Sequence, residues 1–235
     1  MSSDTLKQQA ARFAVDLIES GMVIGLGSGS TVKFALAEIA SRSHSRRIEG
    51  ILGVPSSSET QRIARKLGLA LTSLDEHPQP DINIDGADEV DPQLNLIKGG
   101  GGALLREKVL AQSSRRNVII VDAGKLSQRL GDRWPLPVEV LPFASKSVER
   151  FLMSQGARVE IRHLADGRPL RTDQGNTIFD AHFGPIEDPE ALAALLSARA
   201  GILANGLFIG LTDDLIVADH AGIRHLTRTD APVFR

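Results

Sequence analysis

Carboxylates crowd one short stretch of this chain: Asp81, Asp85, Asp88, Glu89 and Asp91 fall within eleven residues. Lys98 follows at the head of four consecutive glycines, Gly99, Gly100, Gly101 and Gly102. Carboxylates beside an ammonium are equipped to move protons, and the ammonium can also steady an oxyanion. Four glycines in a row lose much conformational entropy on folding, whereas a plain turn needs one or two. The run therefore predicts backbone packed closely around a ligand. Glu107 stands about a turn into the helix expected to follow. A helical glutamate is ordinarily a solvated charge, but this position also lets its carboxylate point into a site. Asp85 and Asp88 are expected to face a ligand, or else to cap the Asp85-Gly86 turn. Glu89 and Asp91 read as solvated charges. Oxygen ligands would suit Mg²⁺, yet the nearest histidine is His77 and Lys98 itself supplies a neutralising cation, so no metal is expected.

A second feature is Gly25-Leu26-Gly27-Ser28-Gly29-Ser30-Thr31, between an expected strand and an expected helix. Bare N–H groups in such a loop can approach an anion, and a helix N-terminus adds about half a positive charge. Ser28, Ser30 and Thr31 supply hydroxyl donors. Taken alone, the loop is equally a tight turn. A dinucleotide fingerprint would need glycine at position 30, where serine stands. It would also need an acidic residue closing the next strand, which instead reads Gly53-Val54-Pro55-Ser56. No lysine follows Gly29, as a P-loop requires. A small phosphate monoester fits better than a nucleotide.

Elements must hold these residues in place. Leu6, Ala10, Phe13, Leu17 and Ile18 recur at helical spacing after Asp4, read as the cap, with Gly21 as the stop. Residues 22–26 predict a strand, about 31–40 a helix, and 48–54 the next strand. Ser58 and Gln61 form a capping box for a helix ending at Gly68. Residues 81–85 and 117–121 read as further strands. Strands alternating with helices imply a parallel, doubly wound sheet. The texture changes after Lys125, where Pro135, Pro137 and Pro142 punctuate 131–143. A helix (145–155), strand (158–162), Asp166-Gly167 turn, strand (176–180), helix (188–196) and strand (202–204) then form an α+β pattern. Residues 215–226 are expected to return to the first sheet. The expected organisation is a catalytic domain from 1–130 with 207–235, and a small α+β domain from 131–206.

Bulk properties narrow the function. Of 235 residues, 42% are hydrophobic and 24% charged, ordinary values for a globular chain with a real core. A net charge of −2 gives no general attraction to nucleic acid or an anionic membrane, so any anion needs a local site. With no cysteine, thiol catalysis, thiolate metal sites and disulfides are excluded. The polar N-terminus carries no signal-peptide core, and no apolar run nears the roughly 20 residues of a membrane span. The expected address is the cytoplasm.

The segments G-L-G-S-G-S-T (25–31), D-G-A-D-E-V-D (85–91), K-G-G-G-G-A-L-L-R-E-K (98–108) and D-A-G-K (122–125) together resemble the ribose-5-phosphate isomerase A family. Weaker similarity in P-L-P-V-E-V-L-P (135–142) and G-N-T-I-F-D (175–180) extends the match over most of the chain. The resemblance implies a Rossmann-like domain with a smaller α+β, ferredoxin-like lobe, assembled as a homodimer or homotetramer, with no cofactor and no required metal. It implies that Ser28, Gly29, Ser30 and Thr31 hold the sugar phosphate. Asp85, Gly86, Ala87 and Asp88, with Lys98, Gly99, Gly100 and Gly101, would line the sugar. Glu107 would be the proton acceptor and Lys125 a further substrate contact. Ser28 stands where the family often has threonine, which keeps the hydroxyl. Leu211-Thr212-Asp213-Asp214 departs from the family pattern.

The reaction so implied interconverts ribose 5-phosphate and ribulose 5-phosphate. Asp85 would assist ring opening, and Glu107 would carry a proton from C2 to C1 through an enediolate. Lys98 and the N–H groups of Gly99 to Gly101 would stabilise the oxyanion. Asp88 would orient a hydroxyl or relay a proton between oxygens. Two alternatives stand beside it, an amino-sugar-phosphate deaminase-like enzyme of the same fold and, from another class, a non-catalytic sugar-phosphate sensor. Lys98 and the glycine run favour the isomerase over the first. Against the second, a sensor would carry a DNA-binding helix-turn-helix, and the N-terminus has room for one helix.

Overall fold

The computed structural model describes residues 2–228. In chain order the first half comprises α1 (Ser3–Val15), β1 (Val23–Leu26), α2 (Ser30–His44), β2 (Leu52–Pro55), α3 (Ser58–Lys66) and β3 (Ile82–Asp85). It continues through β4 (Glu89–Val90), β5 (Leu96–Ile97), α4 (Leu104–Ser113) and β6 (Asn117–Asp122). The second half adds β7 (Leu136–Val140), α5 (Ser145–Ser154), β8 (Arg158–Ile161), β9 (Thr177–His182), α6 (Pro189–Ser197) and β10 (Ile202–Asn205). It ends with β11 (Leu207–Phe208), β12 (Asp214–Asp219) and β13 (Gly222–Thr227).

The main sheet has the order β13-β12-β6-β3-β1-β2, parallel except for β13. Successive side chains of a strand point to opposite faces. In β6, Val118 and Ile120 pack with α1 and α2, while Ile119 and Val121 pack with Val90, Leu96, Ala111 and Phe208 on the other face. Both faces are covered, which is why β6 reads as a continuous apolar run. After β1 the chain moves outward to β2 and then returns to pair β3 with the other side of β1. That reversal opens a crevice at the carboxyl ends of β1 and β3, where doubly wound sheets bind ligands. Leu26 pairs with Ile84 there, so the loops after both strands leave side by side.

β7, α5, β8, β9, α6 and β10 form an antiparallel β-α-β-β-α-β lobe with the order β10-β7-β9-β8, a ferredoxin-like arrangement. One face of its sheet buries Val138, Val140 and Phe179 under Val148, Leu152 and Leu196 of the two helices. From the other face Ile178 meets Leu104 at the start of α4. The lobe is thus seated directly on the helix that carries Glu107. No helix among the described residues is long and apolar enough to cross a membrane.

Several expectations are corrected. Ser2, not Asp4, caps α1 by accepting from the Thr5 N–H, and the helix ends at Val15. Ser57, not Ser58, caps α3 by accepting from the Thr60 N–H. The second strand is confined to Leu52–Pro55, and α2 runs on to His44. The proline-rich stretch hides β7, which is central in the lobe; Pro137 sits second in the strand, and its carbonyl still accepts from the Gly206 N–H at 2.7 Å. The two-residue strands β4, β5 and β11 form a three-stranded sheet that the sequence pattern is too short to reveal. Glu89 and Asp91 are buried rather than solvated. Glu89 accepts from the Gly131 and Arg133 N–H groups, and Asp91 from those of Gln93 and Asn95, so backbone donors replace their water.

Candidate active site

The crevice holds a cavity of about 420 Å³. Its wall includes Ser28 to Thr31 after β1, Gly86 to Asp88 after β3, Lys98 to Gly101 after β5, and Glu107 on α4. Asp122 at the end of β6, Gly124 and Lys125 from the turn after it, and Ser3 and Lys7 from α1 complete it. Nearly every sequence-predicted position therefore meets in one place. Asp85 does not line the wall and lies behind it.

Asp85 is fixed by its surroundings. Its Oδ1 accepts from the N–H groups of Ser28 at 3.1 Å and Gly86 at 2.8 Å. Its Oδ2 lies 3.0 Å from Lys98 Nζ. A Cβ at position 27 would fall on the Asp85 carboxylate, so glycine there is a steric requirement. Lys98 also donates to the Gly86 carbonyl at 2.7 Å and lies 3.3 Å from Glu107 Oε2. Its backbone N–H is held by the Gly206 carbonyl at 2.9 Å. Burial alone would lower the ammonium's pKa, but Asp85, Glu107 and Asp88 together hold it above the ordinary lysine value.

Glu107 is buried, on the same face of α4 as Leu104 and Leu110. Burial raises its carboxyl's pKa most, Lys98 pulls it down and the charges of Asp85 and Asp88 push it up, leaving it at about 8. Lys108, the next residue, donates to the carbonyls of Asn205 at 2.7 Å and Leu207 at 2.8 Å. It thereby ties α4 to the crossover whose Gly206 carbonyl receives Lys98. Burial lowers the Lys108 ammonium to about 8.

Asp88 accepts from the Gly100 N–H at 2.7 Å. Across the cavity, Gly29 occupies the N-cap of α2 with φ +101° and offers no side chain to the helix's first N–H groups. The Ser28 hydroxyl turns inward, hydrogen-bonding with Ser56, Ser57 and Thr60 at 2.8, 3.0 and 3.2 Å. Its contribution to the wall is therefore mainly backbone. Ser30 and Thr31 line the cavity at the start of the helix. Lys125 Nζ sits 5.2 Å from the centre of the Trp134 ring. Sequence reasoning missed Lys7, because a lysine beside the apolar stripe of an amphipathic helix looks like any solvated one.

A doubly wound crevice that holds a desolvated carboxylate against a protonated lysine, facing bare peptide groups, defines an enzyme that shifts protons on a small anionic substrate. The chain belongs to the ribose 5-phosphate isomerase A (phosphoriboisomerase A) family, whose sequence model matches residues 52–222. It is 56% identical over 229 residues to ribose-5-phosphate isomerase A of Chloroflexus aurantiacus, covering 97% of this chain and 96% of that one. The Gloeobacter violaceus protein of the same name is 48% identical, with 99% and 100% covered. Ribose 5-phosphate isomerase A of Methanocaldococcus jannaschii superposes with a TM-score of 0.92 at 37% identity, over 96% of this chain and 100% of that one. A D-ribose-5-phosphate isomerase in complex with phospho-erythronic acid gives 0.94 at 37% identity, over 97% and 100%.

Proposed function

We propose that this cavity interconverts D-ribose 5-phosphate and D-ribulose 5-phosphate through an enediolate. The observation that carries the mechanism is the buried Glu107 carboxylate 3.3 Å from the Lys98 ammonium. The phosphate is held by the N–H groups and hydroxyls of Gly29, Ser30 and Thr31 at the uncapped start of α2, with Lys7 and Lys125 as counter-charges. Ring opening moves a proton from the C1 hydroxyl to the ring oxygen, and the Asp85–Lys98 pair assists it. Glu107 then takes the C2 proton, the electron pair forms the C1–C2 double bond, and negative charge develops on O1. Lys98 stabilises that charge together with the N–H groups of the glycine run that are not already donated, those of Gly100 and Gly102 being given to Asp88 and the Gly99 carbonyl. Glu107 returns its proton to C1 while a proton passes from O2 to O1, with Asp88 on the cavity wall as relay.

A positioned base contributes about 10²–10⁴-fold. Preorganised charge in a site poor in water supplies the larger share. The reading needs no metal, because Lys98 takes the place among the carboxylates that a cation would fill, and turnover is expected to persist in EDTA; loss of activity on chelation would overturn this. The exposed Leu141, Phe143 and Met153 of the lobe support a homodimer or homotetramer, to be measured by light scattering. The direct test is Glu107→Gln. It is expected to retain binding of ribose 5-phosphate but to lose nearly all turnover and all exchange of the C2 hydrogen with solvent deuterium. Turnover near that of the unaltered enzyme would refute the assignment of the base.

A further inference from the structure

Arg162 follows β8 in the small lobe and lies outside the cavity wall, yet it grips the glycine run. Its Nη1 donates to the carbonyl of Gly99 at 2.6 Å and to that of Gly100 at 3.0 Å. The guanidinium is itself held by Asp180 of β9, through Nε to Oδ2 at 2.9 Å and through Nη2 to Oδ1. Its side chain is largely buried, so both charges are committed to this arrangement.

A trans peptide is planar, and its N–H points opposite to its C=O. With the Gly99 carbonyl turned to Arg162, the Gly100 N–H must point away from the lobe. It does so, donating to Asp88 on the cavity wall at 2.7 Å. The same geometry applied one residue on sends the Gly101 N–H away from Arg162. Gly101 lines the cavity, and its N–H has no acceptor among the described residues. A cation on the carbonyl also polarises the peptide and strengthens its N–H as a donor.

We propose that Arg162, oriented by Asp180, is a positioning residue that presents the Gly101 N–H to the oxyanion formed during isomerisation. The inference rests on the isomerase reading and extends it to the lobe, which supplies the clamp. Glycine is what allows so narrow a loop, since a Cβ at position 100 would lie 2.7 Å from Asp88 Oδ1 and Gly99 has φ +106°.

The test compares Arg162→Met, Arg162→Lys and Asp180→Asn with the unaltered enzyme, each checked for folding by thermal melting. The readouts are kcat, KM for ribose 5-phosphate, and the dissociation constant of phospho-erythronic acid, whose carboxylate offers a charged oxygen where the oxyanion forms. Arg162→Met is expected to lower kcat about 10²-fold, the scale of one lost oxyanion donor, with KM changed less than about threefold. Phospho-erythronic acid should weaken by at least tenfold. Lysine can hold one carbonyl but not the fork to Asp180, so Arg162→Lys restores part of kcat. If the methionine variant does not fold, Asp180→Asn gives the same split at smaller size. Unchanged kcat in a folded variant would overturn the inference. So would a loss confined to thermal stability, with analogue binding intact. An unaltered enzyme inactive on ribose 5-phosphate would instead sink the isomerase reading.

Discussion

Glu107 Oε2 lies 3.3 Å from Lys98 Nζ, and both side chains are almost wholly removed from solvent. One ammonium serves three carboxylates, since Asp85 and Asp88 also act on it. The imbalance explains why the two partners behave differently. Lys98 gains a proton-holding environment from all three, whereas Glu107 has one favourable neighbour and two repulsive ones. A base must bind the substrate's proton well enough to remove it, and a carboxylate starved of water does so better than a solvated one.

The first prediction concerns the pH profile. Glu107 accepts a proton only as the carboxylate, and in the free enzyme its pKa is pushed up to about 8 by burial and by Asp85 and Asp88. kcat/KM should therefore rise tenfold per pH unit from the acid side and level off above about pH 8. In Asp88→Asn the remaining activity should show its limb at lower pH, because one repulsive charge is gone. A limb near the ordinary glutamate value would mean the base is a different, solvated group.

Stability should run opposite to activity at this residue. The folded-state pKa of Glu107 lies above its unfolded value of about 4.5, so its favourable contribution is complete below that value. It is lost as pH rises towards about 8, when the buried carboxylate must carry its charge. Glu107→Gln is thus expected to be more stable than the unaltered protein at pH 8.5, with the gap closing towards pH 5. Urea unfolding at the two pH values measures it, and a gap independent of pH would contradict the account.

Lys98→Met removes the cation and leaves Asp85 and Glu107 buried without it. Breaking a buried ion pair from one side costs about 3–5 kcal/mol, most of it the uncompensated charge left behind. The double variant Lys98→Met/Glu107→Gln should recover part of that stability and none of the turnover. Equal stability of the single and double variants would show that the Asp85 contacts with backbone N–H groups, not charge, govern the cost.

How far the site was legible in sequence depends on whether backbone or side chain carries the information. The glycines marked the loops at 25–31 and 98–102 as backbone close to a ligand, because that signal is local, and the alternation of strands and helices put the ends of β1 and β3 on one edge of a parallel sheet. Glu107 could be read as inward-facing from its place just beyond the glycine run and from the family resemblance; the buried face it shares with Leu104 and Leu110 appears only in the fold. The burial of Glu89 was illegible, since its donors, Gly131 and Arg133, lie more than forty residues away. Ser28 read as a phosphate donor, but the hydroxyls of Ser56, Ser57 and Thr60 that turn it inward come from the loop after β2 and the first turn of α3. β7 was masked because proline weakens a strand on average, while at the second position of this one its carbonyl still finds a donor.

The glycine at position 27 tests whether the carboxylate behind the wall matters. An added methyl group there meets the Asp85 carboxylate, which can step aside only by giving up its contacts with the Ser28 and Gly86 N–H groups and with Lys98. Position 86, whose N–H donates to the same carboxylate, meets no protein atom closer than 3.8 Å. Gly27→Ala should therefore lower kcat by about 10²-fold through displacement of Asp85 and of the ammonium it orients, the scale expected when catalytic groups shift by about 1 Å. Gly86→Ala should leave Asp85 and Lys98 in place, so that any loss falls on KM, because Gly86 lines the cavity, rather than on kcat. Steady-state kinetics on the two variants, with melting curves to confirm that both fold, separates the effects. If both lose activity equally, backbone freedom rather than the Asp85 carboxylate is what the two glycines protect.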